Sequence, residues 1–342
     1  MNNESKSGIG TGRKVLIGCI VVLLIIIILI IGFMAYQLIR AQRQTGASSV
    51  EFEAYYVNAS SSDSAVQAAS ETPSAEVPAD LPVPTVVGDE LYCDNAYMIR
   101  VSDGAVLYDK ASDDQIFPAS MTKIMTVITA IENAKDINME CTVTQAEIDE
   151  VYVQEASMAG FTAGETVKLT DLLYGSMLPS GGEASLAIAD NIAGSSDAFV
   201  EMMNQKASEI GMTNTHFSNC TGLHQDDHYS TCKDFATLTS YAIKNPTFRQ
   251  IFTTSTYTTT SSAVHPTGIT LYSTLFQHLD NETLNNGAVI EGGKTGFTDQ
   301  ALYTLSSLCS FGGQEYILVT AHGAGIDFSH IADAKYMYGQ LS

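Results

Sequence analysis

Between residues 44 and 88 the chain has no lysine and no arginine, and all 342 residues hold only 16 of them against 38 Asp and Glu. The shortage is unevenly placed. Up to Arg43 there are five cations (Lys6, Arg13, Lys14, Arg40, Arg43) against Glu4 alone, a balance of +4. The total is −22, so everything after Arg43 carries −26. A surface that acidic does not hold nucleic acid or anionic lipid by charge, and no nucleic-acid partner is expected. Six cysteines are present without a C-x-x-C, which removes support for zinc ribbons and thioredoxin chemistry. There is no H-E-x-x-H and no G-x-S-x-G, so a zinc peptidase helix and a Ser-His-Asp elbow both lack their signatures.

Charge is also missing from "VLIGCIVVLLIIIILIIGFMAY", Val15 to Tyr36. Roughly 22 residues at about 1.5 Å each cover about 33 Å, enough for a bilayer core. A cleaved signal peptide has a shorter apolar core and a small-x-small site close behind, so residues 15–38 are expected to be an uncleaved anchor. Lys6, Arg13 and Lys14 place residues 1–14 in the cytoplasm and the bulk of the chain outside it, although Arg40 and Arg43 pull the other way. Residues 39–88 read as a disordered linker, rich in Ser, Ala and acidic residues and holding half of the eight prolines.

From Asp89 to Ser342 the composition is globular. "AYMIRVSDGAVLYDK" alternates around Asp103-Gly104 as a hairpin does. "SMTKIMTVITAIENA" has helical period, and the stretch from "TQAEIDEV" to "DAFVEMMNQKASEIGM" is helix-rich. After Asn245 come short strands ("GAVIEGGKTG", "ALYTLSSLCS", "EYILVTAHG"), then a helical end, "SHIADAKYMYGQL". Strands at both ends with helices between them predict one sheet assembled from the two ends of the domain.

Three stretches carry candidate chemistry. In "PASMTKIMT", Ser120 and Lys123 stand three apart, on one face of a helix, so the amine can reach back to the hydroxyl. A helix cap with a solvated lysine one turn later is the ordinary reading of such a pair. To serve as base, Lys123 must drop from about 10.4 toward 7, roughly three units or about 4 kcal/mol, which burial and a neighbouring cation can supply. In "LLYGSMLPSGGEAS", Pro179 ends a helix and Ser180-Gly181-Gly182 makes a tight turn before the next. In "EGGKTGFTDQA", a glycine-rich strand lets a backbone or an extended ligand approach, with Lys294 and Thr295 beside it.

Together, in the order S-x-x-K, S-x-x, K-T-G, these resemble the motifs of penicillin-binding proteins and serine β-lactamases. With "GMTNTHFSNCTGLHQDDHYSTCKDFA" added, the chain resembles more closely the D-alanyl-D-alanine carboxypeptidases (low-molecular-mass penicillin-binding proteins, peptidase family S11) over about residues 95–325. The resemblance implies a mixed α and β, penicillin-binding-protein-like fold, an antiparallel sheet flanked by helices with an inserted helical subdomain. It implies that Ser120 attacks the terminal D-Ala-D-Ala peptide of a wall stem peptide, with Lys123 as base and Ser180 relaying a proton. Lys294 would supply positive potential, Thr295 would bind the carboxylate, Gly296 would line the substrate site beside it, and the N–H groups of Ser120 and Phe297 would form the oxyanion hole. No cofactor is implied, and β-lactams would be covalent inhibitors.

Departures from the pattern are local. Gly182 stands where the family usually has Asn on the substrate side, which suggests a lost hydrogen bond. Cys220 and Cys232 replace the usual Pro and Ala beside the "TGL" run, and a disulfide between them is expected. Ala288 to Thr295 also fits a relaxed phosphate loop, but the next residues, "GFTDQALYTL", read as a turn and a strand rather than a helix. His216, His224, His228, Asp226 and Asp227 are a candidate zinc set that the resemblance accounts for without metal. A β-lactamase would need a deacylating carboxylate for which no motif is evident. A weakened module that only binds wall peptides is the reading Gly182 favours.

Overall fold

Apolar residues run almost unbroken through "AYMI" and "YILVTA", and both stretches are strands covered on both faces. The structure is a computed structural model that describes residues 83–88 and 90–342. The expected cytoplasmic segment, membrane anchor and most of the linker lie outside the described residues. Among the described residues no helix is long and apolar enough to cross a membrane.

The first hairpin forms as expected. Strands β1 (Cys93–Arg100) and β2 (Val106–Lys110) are joined by a turn in which Gly104 takes φ +72°. Arg100 Nη2 donates to Asp103 Oδ2 at 2.7 Å across that turn. Two short ladders follow in the chain, β3 (Glu140–Thr142) with β4 (Thr166–Lys168) and β5 (Thr256–Thr258) with β6 (Thr270–Tyr272). Strands β1 and β2 belong to an antiparallel sheet of order β2-β1-β9-β8-β7, completed by β7 (Val289–Thr298), β8 (Leu302–Phe311) and β9 (Gln314–Gly323). The two ends of the domain therefore build one sheet.

Strand alternation sorts the core into two layers. Tyr97, Ile99, Ile317 and Val319 face a helical layer inserted between β2 and β7. Met98, Leu318 and Leu305 face the other way, onto Ile331, Ala334 and Met337 of the C-terminal helix. Two helices fill the middle of the inserted layer: α1 (Lys123–Asn133), whose first eight residues are all buried, and α4 (Gly182–Ala193). Fully burying Ile124, Val127 and Ile128 contributes roughly 1.5–3 kcal/mol each, which helps offset seating the Lys123 amine among them.

Around them pack α2 (Gln145–Val153), α3 (Leu169–Met177), α5 (Ser196–Glu209) and α6 (Cys232–Ala242). Their starts are legible in sequence. Thr144 and Glu147 form a reciprocal capping box on α2, Ser195 caps α5 and Thr231 caps α6. The expectation of short strands directly after Asn245, with a helix only at the end, misses α7 (Pro246–Phe252), which Asn245 caps and Pro246 opens from the first helical position. The C-terminal helix, α8, is Ser329–Tyr338.

The expected Cys220–Cys232 bridge is absent, and both are free buried thiols. Cys220 faces α4 and α5, its Sγ 3.6 Å from Ser185 O and 3.7 Å from Ser196 Oγ. Cys232 begins α6. Both belong to the helical-side core, where a buried free cysteine packs as a small hydrophobe with a weak S–H donor.

Candidate active site

Pro118 and Ala119 lead into a 3-10 turn, Ala119–Thr122, that runs directly into α1. Ala119 is left-handed at φ +48°, a conformation that costs a non-glycine residue about 1–3 kcal/mol and persists only when its surroundings impose it. The surroundings are visible. A Cβ on Gly296 would lie 2.9 Å from Ser120 N, and one on Gly222 would collide with Ala119 O. Thr304 Oγ1 donates to Pro118 O at 3.1 Å. The turn is clamped between strand β7 and the 219–223 loop, and only residues without side chains fit where they touch it.

Lys123 Nζ donates to Ser120 Oγ at 3.1 Å and to Thr221 O at 2.5 Å. Burial pushes its pKa down to about 8, while Cys220 and Glu183 act to raise it. The cap-and-solvated-lysine reading is therefore wrong, because Lys123 is 3% exposed and its amine donates to the hydroxyl. Lys294 is fully buried behind the cleft wall, with Nζ donating to Thr295 O at 2.9 Å. Burial, and then the charge of Lys123, drive its pKa well below the ordinary lysine range.

Ser180 reaches the same place from the turn between α3 and α4. It too is left-handed, at φ +68°, and its Oγ is buried without a hydrogen-bond partner. Thr295 Oγ1 meets Thr274 Oγ1 at 2.5 Å on the outer side of β7. A cleft of about 800 Å³ joins Ser120, Lys123, Ser180, Thr295, Gly296 and Phe297. A hydroxyl beside a depressed amine, with a second unpartnered hydroxyl across the cleft, can pass a proton from an attacking oxygen toward a leaving group.

Two expected substrate-side residues are placed differently. Lys294 lies beneath the wall rather than on it. Gly182 is not among the residues lining the cleft: it starts α4, and a Cβ there would lie 2.7 Å from Val151 Cγ1 and 3.4 Å from Ser157 O.

Sequence reasoning missed the scaffold beneath the lysine. Asn219 Oδ1 accepts from Thr221 N at 3.1 Å and Gly222 N at 2.7 Å, shaping the loop whose Thr221 carbonyl holds Lys123. An Asn three residues before a Gly is the signal that marks such a turn. His228 Nδ1 accepts from Ser218 N at 3.0 Å, so its Nε2 carries the proton and donates to Thr122 Oγ1 at 2.7 Å. Both ring nitrogens serve the fold, and burial holds the ring neutral with a pKa near 3. His216 Nδ1 instead meets Asp227 O, and His224 lies edge-on to Phe117. The relaxed phosphate-loop stretch, Ala288 to Thr295, is mostly β7 and opens no helix.

The family model described as D-alanyl-D-alanine carboxypeptidase matches residues 83–324. The chain is 33% identical over 231 residues to D-alanyl-D-alanine carboxypeptidase DacF of Bacillus subtilis (strain 168), a match covering 66% of this chain but 56% of that protein. It is 32% identical over 228 residues to the D-alanyl-D-alanine carboxypeptidase of Streptomyces sp. (strain K15), covering 65% and 77% of the two. The crystal structure of the Streptomyces K15 DD-transpeptidase superposes with a TM-score of 0.66 at 30% identity, over 74% of this chain and 99% of that one. The fold is that of the penicillin-binding-protein-like DD-peptidases. Within that class, the chain belongs to the D-alanyl-D-alanine carboxypeptidase family, peptidase family S11.

Proposed function

We propose that the protein is a serine-type D-Ala-D-Ala carboxypeptidase that removes the terminal D-alanine of peptidoglycan stem peptides through an acyl-enzyme. The observation that carries this reading is the 3.1 Å bond from the buried Lys123 amine to Ser120 Oγ, at the head of a cleft shared with Ser180 and Thr295. Lys123 takes the hydroxyl proton as Ser120 Oγ adds to the carbonyl, and the N–H groups of Ser120 and Phe297 receive the developing oxyanion. Ser180 passes the proton to the departing D-alanine amine. Thr295 holds the substrate carboxylate, with Lys294 buried beside it in β7 and donating to the Thr295 carbonyl. Water then attacks the ester, with Lys123 again as base, and frees the shortened peptide.

Residues 15–38 are proposed to anchor the protein as a single span with the catalytic domain outside the cytoplasm, where the wall peptide is found. The apolar run and the +4 end support that topology.

The test is covalent labelling. A labelled penicillin should attach at Ser120, and Ser120→Ala should lose both the label and release of D-alanine from a D-Ala-D-Ala peptide. Label that survives Ser120→Ala undiminished overturns the assignment. Label without peptide hydrolysis would instead make the protein a module that binds wall peptides.

A further inference from the structure

Glu183 stands next to Gly182 in the first turn of α4 and is 0% exposed. A carboxylate so enclosed persists only where hydrogen bonds hold it. Its Oε1 accepts from Ala159 N at 2.6 Å and from Gly160 N at 2.8 Å, while Oε2 is buried without a partner. Both donors belong to a strap, residues 154–160, that leaves the end of α2. Glu155 turns left-handed there at φ +51°, and Ala156 N bonds back to Val151 O at 2.9 Å. Gln154, Glu155, Ala156 and Ser157 then form one wall of the cleft. Ser157 O accepts from Gly182 N at 2.8 Å, and a Cβ on Gly181 would lie 2.7 Å from that of Ala159. The strap therefore sits directly on the turn that carries Ser180, and Glu183 is its charged anchor.

We infer that Glu183 is a positioning residue: its Oε1 fixes the 154–160 strap as the substrate-side wall of the cleft and so steadies the turn that carries Ser180. The inference rests on the reading of Ser120 as nucleophile.

Two variants of the full-length protein test the anchor. Glu183→Gln keeps an oxygen for the Ala159 and Gly160 N–H groups, so amide exchange at both should stay as slow as in the wild type. Glu183→Ala should show faster exchange at both amides and saturation by penicillin that is weaker by about tenfold, while the limiting rate of labelling changes by less than about threefold. Glu183→Ala exchange equal to that of Glu183→Gln, or a loss confined to the limiting rate, overturns the anchor. If Glu183→Ala does not fold, the Glu183→Gln exchange data decide, since unprotected amides there also sink the anchor. Wild-type protein that fails to label at Ser120 brings down the functional reading itself, an outcome distinct from a labelled wild type with unmoved variants.

Discussion

Two glycine positions flank the cleft and ask for different explanations. On the strand side, Gly296 lets β7 lie against the backbone of Ser120, with a hypothetical Cβ 2.9 Å from Ser120 N and in collision with Thr304 Oγ1. On the turn side, Gly182 lets the strap and Val151 close on the start of α4, with a hypothetical Cβ 2.7 Å from Val151 Cγ1. The first glycine agrees with the family pattern and the second departs from it, yet each is bare because another chain segment occupies the place of its side chain. A glycine at a motif position is thus not simply a lost contact. What packs onto it decides its meaning.

The strand side should be the less forgiving. Gly296→Val forces β7 away from Ser120 N, and penicillin labelling should fall by about 100-fold or more while circular dichroism stays native. Labelling within a factor of a few of wild type would show that the clamp on the Ala119–Thr122 turn is unnecessary.

Acid should produce an effect of similar size through the same clamp. Lys123 works as a base only when neutral, and its pKa is lowered from 10.5 to about 8. The neutral fraction, and with it the labelling rate, should rise with pH up to about 8 and lose about tenfold per unit below it. A rate profile flat from pH 6 to 9 would remove Lys123 from the step.

Gly182→Asn tests the turn side. Restoring the family's usual residue should slow labelling by about tenfold and destabilise the protein by about 1–3 kcal/mol, since the new side chain meets Val151. Adding Val151→Ala makes room and should recover much of both losses. Faster labelling by the single Gly182→Asn variant would instead show that glycine there is a plain deficit, and the two sides would cease to differ.

The smallest effect on labelling lies beneath the turn, at His228, where stability is what responds. Its pKa is depressed from 6.5 to about 3, so the native ring stays neutral while the unfolded ring binds a proton below pH 6.5. The stability it contributes is complete above pH 6.5 and is lost as pH falls toward 3, by about 1.4 kcal/mol per unit. Unfolding temperatures measured from pH 7 to 4.5 should fall less steeply for His228→Gln. An unchanged slope would place the acid sensitivity elsewhere, for example at His330, whose pKa burial also lowers to about 3.

Sequence alone determined the local pieces of this protein. The hairpin at Asp103-Gly104, the capped starts of α2, α5 and α6, the helical period after Ser120 and the paired Ser120 and Lys123 are each set by neighbours a few residues away. Even the joining of β1 to β9 in one sheet was legible, because strand patterns stand at both ends of the domain with helical stretches between them. The missed helix α7 was legible in principle too, from Asn245 and Pro246. Tertiary structure decided the rest. Whether Lys123 is solvated or buried depends on Thr221, 98 positions away, and on how tightly α4 and β7 close around it. The two thiols stay apart because α4 and α5 enclose one and α6 carries the other, a matter of packing that spacing along the chain does not encode. Gly182 faces Val151 rather than the ligand because the strap from α2 arrives there first. Electrostatics and close packing act between surfaces that fold together, and the sequence specifies those surfaces without showing which of them will meet.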